Sequence, residues 1–239
     1  MSPITASIIV TCKGRLEHLK QTIPRMLAQR CEFPYEVLVV DYGDPARAFS
    51  WCQEQDQPLL GSVRVLEDVE WFNVSRARNC GAVHACGKVL AFLDADLFVA
   101  PTWLATAVPL VAEGPRILTF CEAHPAWNAV RTRVFHAVRG FDESLRGWGY
   151  EDIDFNNRCL QHGSLAPLDC GLITQIRHGD AERVGFYQNK RRWRSFRSNL
   201  AACQHRSGPV NAQGYGVGQC EIWRHPARWE TQQAEGASR

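Results

Sequence analysis

Asp94 and Asp96 close an apolar run, Lys88 to Val99, that reads Lys-Val-Leu-Ala-Phe-Leu-Asp-Ala-Asp-Leu-Phe-Val. Side chains two apart on an extended chain point the same way, so both carboxylates can face one site. Two carboxylates held that close repel each other unless a cation or a proton lies between them. Hard oxygen ligands select Mg²⁺ or Mn²⁺, ions that usually share their coordination with substrate phosphates. A polar turn closing a strand would look the same, so the chemistry needs support from elsewhere in the chain. Arg76 and Arg78 supply some of it. They fall in the first turns of a helix that Asn73 or Ser75 can cap, where free N–H groups and positive charge suit a nucleotide phosphate, although two solvated arginines would read alike. Glu151, Asp152 and Asp154 follow the glycine-rich stretch Gly140 to Gly149, where a helix start attracts acidic residues through its dipole alone.

These groups need elements to hold them. The Lys88–Val99 run, between Gly87 and Pro101, is too short for a helix and predicts a strand buried on both faces. Ala6 to Cys12, Glu36 to Asp41, Ser62 to Leu66, Arg116 to Cys121 and Leu172 to Ile176 predict further strands. Between them lie helices: one with Leu16, Leu19, Ile23 and Leu27 on one face, which Pro24 should kink or shorten, and one from Pro45 to about Gln55. Two more run from Asn73 or Ser75 to about Ala85 and from Pro101 to about Glu113, and another follows Tyr150. Alternation of this kind predicts a parallel sheet with helices on both faces, whose ligand crevice opens at the carboxyl ends of the strands.

At 239 residues, with 45% apolar and 22% charged residues, the composition is that of one α/β domain with at most a small appendage. The net charge of +2 says little, but Arg183, Lys190, Arg191, Arg192, Arg194 and Arg197 fall in one segment with few carboxylates. No apolar run reaches membrane-spanning length and the first residues lack a signal-peptide hydrophobic region, which makes the cytoplasm the expected address. Ten cysteines include no Cys-X-X-Cys pair, which excludes a zinc ribbon; Cys12, Cys86 and Cys159 read as reduced core residues.

Five stretches occur in a recognisable order: Ile8-Ile9-Val10-Thr11-Cys12-Lys13-Gly14-Arg15 through His18-Leu19; Asp41 after the second strand; Phe72-Asn73 through Arg78-Asn79; Asp94-Ala95-Asp96; and Gly147-Trp148-Gly149-Tyr150-Glu151-Asp152. In these the chain resembles nucleotide-sugar-dependent glycosyltransferases of the GT-A fold. The likeness is to the family-2 type, with a second half similar to the C-terminal region of β-1,4-galactosyltransferases and polypeptide GalNAc-transferases. The resemblance implies a single α/β domain, a GT-A (Rossmann-like) mostly parallel sheet flanked by helices, over residues 1–226, with a flexible tail at 227–239. Residues 1–100 would form its nucleotide- and metal-binding half, 101–180 its acceptor and catalytic half, and 181–226 a basic aromatic extension.

The roles carried over are these. Thr11, Cys12, Lys13 and Arg15 would bind the nucleotide sugar, Asp41 the nucleoside, and Phe72, Arg76 and Arg78 the uracil and diphosphate. Asp96 and His178 would hold Mn²⁺ (or Mg²⁺), with Asp94 on the ribose or joining the metal directly or through water, and Ala95 would join Asp94 in binding the nucleotide sugar. Asp152 would be the general base, Glu151 would bind a sugar hydroxyl, and Trp148 would offer a face to a sugar ring. The implied reaction is metal-dependent, inverting transfer of a hexose or N-acetylhexosamine from a UDP-sugar to a carbohydrate or glycoconjugate hydroxyl. Three departures matter: Gln175 stands where galactosyltransferases have a methionine ligand, Tyr150 replaces the second glycine of the Trp-Gly-Gly block, and Val74 replaces an arginine. Two rivals are a binding module gripping RNA or anionic membrane through residues 183–197, and a sugar nucleotidyltransferase, for which Lys13-Gly14-Arg15 is too short and glycine-poor. A carboxylate-rich cleft argues against nucleic acid. Peripheral contact with the inner face of a membrane stays compatible with the enzyme reading.

Overall fold

The computed structural model describes residues 4–121 and 124–227, so the tail expected from residue 227 lies, beyond that residue, outside the described part. Four parallel strands form its centre: β1 (Ala6–Cys12), β2 (Tyr35–Asp41), β3 (Leu60–Val65) and β4 (Val89–Asp94). Their order is β3-β2-β1-β4. Ile8 and Val10 pack against one layer of helices and Ile9 against the other, which is why these strands read as continuous apolar runs. The crossovers are α1 (Leu16–Leu27), α2 (Ala48–Gln53) and α3 (Val74–His84).

The chain turns to opposite sides of β1 in forming β2 and β4, a topological switch whose crevice opens above the carboxyl ends of β1 and β4. Thr11 and Asp94 are register partners there.

The run expected as one strand from Lys88 to Val99 divides at Ala95–Asp96. Its second part, β5 (Leu97–Val99), leaves the main sheet and pairs antiparallel with β9 (Ile173–Gln175), the strand expected at Leu172–Ile176. This small sheet sets Asp96 beside the segment leading to His178, and Ile176 N–H donates to the Asp96 carbonyl at 2.8 Å. After α4 (Trp103–Ala112), β6 (Arg116–Cys121) and β7 (His124–Arg131) form an antiparallel pair, with β7 inserted between β4 and β6. α5 (Thr132–Ala137) and α6 (Glu151–Cys159) follow. β8 (Ser164–Pro167) pairs with β6 at one edge and β10 (Cys220–Arg224) with β3 at the other, giving the order β10-β3-β2-β1-β4-β7-β6-β8. α7 (Asp180–Arg183) and α8 (Arg192–Gln204) run past the open end of the sheet.

Smaller expectations also change. Pro24 does not cut α1 short, because Ala28 N–H still bonds the Pro24 carbonyl and only the proline's own donor is lost. α2 is shorter than Pro45–Gln55, since residues 45–47 form a turn that ends in Arg47 at φ 60°. Asn73, not Ser75, caps α3, its side chain accepting from Arg76 N–H at 3.1 Å. Cys12 and Cys159 are buried free thiols as expected, whereas Cys86 is exposed and Cys170 is disulfide-bonded. Among the described residues no helix is long and apolar enough to cross a membrane.

Candidate active site

A cleft of about 410 Å³ opens at the sheet switch. Its floor is Thr11, Asp94, Ala95 and Asp96; α3 contributes Arg78, the loop before α6 contributes Trp148 to Tyr150, the start of α6 contributes Glu151 and Asp152, and α7 and α8 contribute Arg183 and Arg192.

Arg78 organises the floor. It is 3% exposed, reaching Asp94 Oδ1 with Nη2 at 3.2 Å and Glu151 Oε1 with Nη1 at 3.1 Å. Burial works against its charge, and Asp94 and Glu151 outweigh that effect and raise its pKa. The arginine expected to meet a diphosphate is thus already neutralised by two carboxylates. Trp127 from β7 donates its indole N–H to Asp94 Oδ2 at 3.3 Å, so both oxygens of Asp94 have donors.

Asp96 is differently placed. Its Oδ2 lies 2.5 Å from His178 Nε2 and accepts from Gln175 Nε2 at 3.1 Å. Its Oδ1 is buried with no hydrogen-bond partner. An unsatisfied buried carboxylate oxygen is costly unless something fills it, and a carboxylate next to an imidazole suits Mn²⁺ or Mg²⁺. Asp96 and His178 therefore fit such an ion. No cluster of three His, Cys, Asp or Glu side chains placed to hold a metal occurs among the described residues, so substrate oxygens or water would complete the shell. His18 from α1 stacks on His178 with ring centroids 5.9 Å apart and planes 23° from parallel.

Glu151 and Asp152 begin α6. Burial, with Asp152 adding to it, pushes Glu151 up to about 7 against the pull of Arg78. Burial also raises Asp152, opposed by Arg78, which makes it a stronger base than an ordinary aspartate. Tyr150 sits at φ 75°, the left-handed conformation in which a glycine is unstrained, and its ring packs edge-on against Phe196 at 5.4 Å. Trp148 carries the Arg192 guanidinium over its face at 4.0 Å.

Three expected nucleotide contacts do not reach the cleft. Asp41 is 1% exposed and spends its carboxylate on the backbone N–H groups of Asp44 and Phe49, at 2.7 and 2.9 Å. Arg76 turns outward, to Glu67 O at 3.1 Å and Asp68 at 3.3 Å. Cys12 is a core residue whose thiol is raised by burial. Two others stand in the wall with their charges engaged: Lys13 donates to the carbonyls of Tyr42, Gly43 and Val69, and Arg15 pairs with Glu182. Phe72 lines the cleft and packs on Tyr187 at 5.3 Å. Gly14, at φ 69°, leaves room for the Phe186 ring, which a Cβ there would strike. Trp127 and Glu182 join the site without having been singled out in the sequence and gave no local signal, while His18, from the first motif, and Tyr187, from the basic aromatic segment, join it without an assigned role.

Residues 7–156 match the family described as glycosyl transferase family 2, and residues 128–189 match the family described as the N-terminal domain of galactosyltransferase. N-acetylgalactosaminyltransferase 7 of Drosophila melanogaster is 27% identical over 154 residues, 62% of this chain and 25% of that protein. The uncharacterised protein y4gI of Sinorhizobium fredii is 31% identical over 109 residues, 44% of this chain and 12% of that protein. The chain thus spans a quarter or less of these curated relatives. Among solved structures, S. aureus TarS 1-349 in complex with UDP-GlcNAc superposes with a TM-score of 0.62 at 15% identity, covering 75% of this chain and 61% of that one. The mannosyltransferase PcManGT from Pyrobaculum calidifontis, in complex with GDP-Man and Mn²⁺, gives 0.62 at 17% identity, covering 77% and 63%. GalNAc-T7 with UDP, GalNAc and Mn²⁺ gives 0.61 at 17% identity, covering 74% and 44%.

Proposed function

The chain belongs to glycosyl transferase family 2 and has the GT-A fold, and from that premise we propose that it transfers a hexose or N-acetylhexosamine from a UDP-sugar to an acceptor hydroxyl with inversion. The observation that carries the reading is the convergence on one cleft of an under-coordinated Asp96–His178 pair and a basic Asp152 at the start of α6. Neighbours of this fold bound to UDP-GlcNAc, or to UDP, GalNAc and Mn²⁺, support the donor class.

Asp96 and His178 would hold the divalent ion, with Asp94 on the ribose or reaching the ion through water. The bound ion supplies Lewis-acid stabilisation of the diphosphate's negative charge. Arg183 lines the cleft and has no side-chain partner among the described residues, so it offers a free cation to the same diphosphate. Asp152 takes the acceptor hydroxyl's proton, and attack by that oxygen opposite the leaving group inverts the anomeric carbon. Glu151 binds a sugar hydroxyl from beside the base. Arg191 at the start of α8, and Trp193, Arg194 and Arg197 on it, are exposed and favour contact with an anionic membrane that carries the acceptor.

The decisive experiment measures UDP release from a panel of nucleotide sugars with Mn²⁺, alongside thermal stabilisation by UDP. Asp152→Asn is expected to lower turnover about a hundred- to ten-thousand-fold while stabilisation by UDP persists. Near wild-type turnover in that variant removes Asp152 as the base; UDP that fails to stabilise the wild type at all removes the donor.

A further inference from the structure

The loop that delivers Glu151 and Asp152 is conformationally costly. Gly147, Gly149 and Tyr150 have φ of 80°, 92° and 75°, and the last is not a glycine. A non-glycine residue in that region costs on the order of 1–3 kcal/mol and persists only when its surroundings hold it. What holds it is α8. Ser195 Oγ accepts from Trp148 N–H at 3.0 Å and donates to the Arg146 carbonyl at 3.2 Å. One turn on, Asn199 Nδ2 donates to the Gly149 carbonyl at 2.8 Å. Both side chains are buried, at 1% and 4% exposure, so their hydrogen-bonding groups are withdrawn from water and committed to the loop backbone. Residues four apart on a helix share one face, so a single rigid element grips the loop at three positions. Gly147 completes the fit, because a Cβ there would collide with Ser195 Oγ.

We propose that Ser195 and Asn199 are positioning residues for the catalytic carboxylates, acting through the backbone of residues 146–149 to fix where Asp152 stands relative to the acceptor. The role rests on the transferase reading above, but lies beyond the residues, 7–156 and 128–189, over which the chain matches known families. From Gly149 to Asp152 the path is three residues, and the Tyr150 carbonyl already accepts the first bond of α6, from Asp154 N–H at 3.0 Å. Freedom at Gly149 therefore becomes displacement of the base. Misplacement of about 1 Å can cost on the order of a hundredfold in rate.

The test compares Ser195→Ala, Asn199→Ala and Ser195→Thr with wild type in UDP release from the best donor, with melting temperature and amide exchange over residues 147–152. Expected is a fall in kcat of about tenfold or more in each alanine variant with donor KM within about twofold, faster exchange in the loop, and substantial recovery in Ser195→Thr, which keeps the hydroxyl. Unchanged kcat overturns the role, as does a loss that only tracks the folded fraction, or a threonine variant no better than alanine. Should alanine at Ser195 prevent folding, Ser195→Cys, with its weaker donor and acceptor, extends the series; kcat ranking serine, threonine, cysteine is expected, and equal rates overturn the role. A wild type that releases UDP from no donor overturns the transferase reading and this role with it, whereas an active wild type with indifferent variants overturns the role alone.

Discussion

Arg78 carries more of the site than its sequence position suggests. A helix-start arginine two residues from another reads as a phosphate ligand, but only its pairing with Asp94 and Glu151 makes it the counter-charge that lets two carboxylates stand in one floor. Arg78→Met would leave Glu151 buried without its cation, and breaking such a pair costs about 3 kcal/mol. A fall in melting temperature of several degrees is expected together with loss of UDP stabilisation, and a variant as stable as wild type would refute the pairing. Glu151 allows a second check. Its folded-state pKa of about 7 lies above the ordinary carboxylate value, so the folded chain holds that proton more tightly than the unfolded one. This contribution to stability is complete below about pH 4.5 and is lost as pH rises through about 7, each pH unit between the unfolded and folded values being worth about 1.4 kcal/mol. Glu151→Gln should flatten the dependence of melting temperature on pH across that window, and an unchanged profile would show that Glu151 does not titrate there. Asp94 and Asp96 were legible as cleft residues from their place at a strand end, and Trp148, Glu151, Asp152 and His178 through the motifs that resemble glycosyltransferases. The partners Trp127 and Glu182 were not, since contacts that far apart in sequence leave no local trace.

The elements legible in the sequence were those buried on both faces. β1, β2, β3 and the first part of the 88–99 run announce themselves as apolar stretches, and α1 as a stripe of leucine and isoleucine. β7 did not, because Pro125 sits near its start and a proline argues against a central strand, yet β7 lies between β4 and β6. β10 stayed hidden as a half-exposed edge strand whose partner, β3, lies far back in the chain. Division of the 88–99 run is a tertiary event too: β5 departs because β9 offers it a separate partner, and that departure is what brings Asp96 to His178. Close packing at this scale can be probed at Gly81, where α3 lies on the sheet. A Cβ there would meet Ile9 Cγ2 at 2.5 Å and Val40 Cγ2 at 2.8 Å. Overpacking of about 1–3 kcal/mol exceeds the helix-propensity gain of about 1 kcal/mol from glycine to alanine. Gly81→Ala should therefore lower the melting temperature by a few degrees and weaken UDP stabilisation as α3 carries Arg78 away from Asp94. Stabilisation by alanine would mean that α3 has room to spare.

Across the whole molecule, charge is distributed unevenly although the net value is only +2. Between Glu182 and Glu221 there is no carboxylate, and the seven cations there are Arg183, Lys190, Arg191, Arg192, Arg194, Arg197 and Arg206. The fold uses some of them internally: Arg206 bonds Asp142 and Asp154, and Arg192 pairs with Asp180 while covering Trp148. Arg191, just before α8, and Arg194 and Arg197 on it are exposed, with Trp193 62% exposed beside them. The inward face of that helix grips the loop at Trp148 and Gly149 through Ser195 and Asn199, so whatever the outward face binds lies next to the cleft. Each cation near an anionic lipid surface contributes about 1 kcal/mol, and a tryptophan settles at the headgroup level. Replacing Arg191, Arg194 and Arg197 with glutamine should then lower affinity for phosphatidylserine-containing vesicles by about two orders of magnitude, leaving melting temperature and UDP stabilisation unchanged. Flotation of the wild type should be strong at low salt, weaken as salt is raised, and be absent with neutral phosphatidylcholine vesicles, because the attraction is screened over about 10 Å at 0.1 M salt. A wild type that stays with the soluble fraction on anionic vesicles at low salt would remove the membrane from the partners of this face and leave its arginines to the solvent.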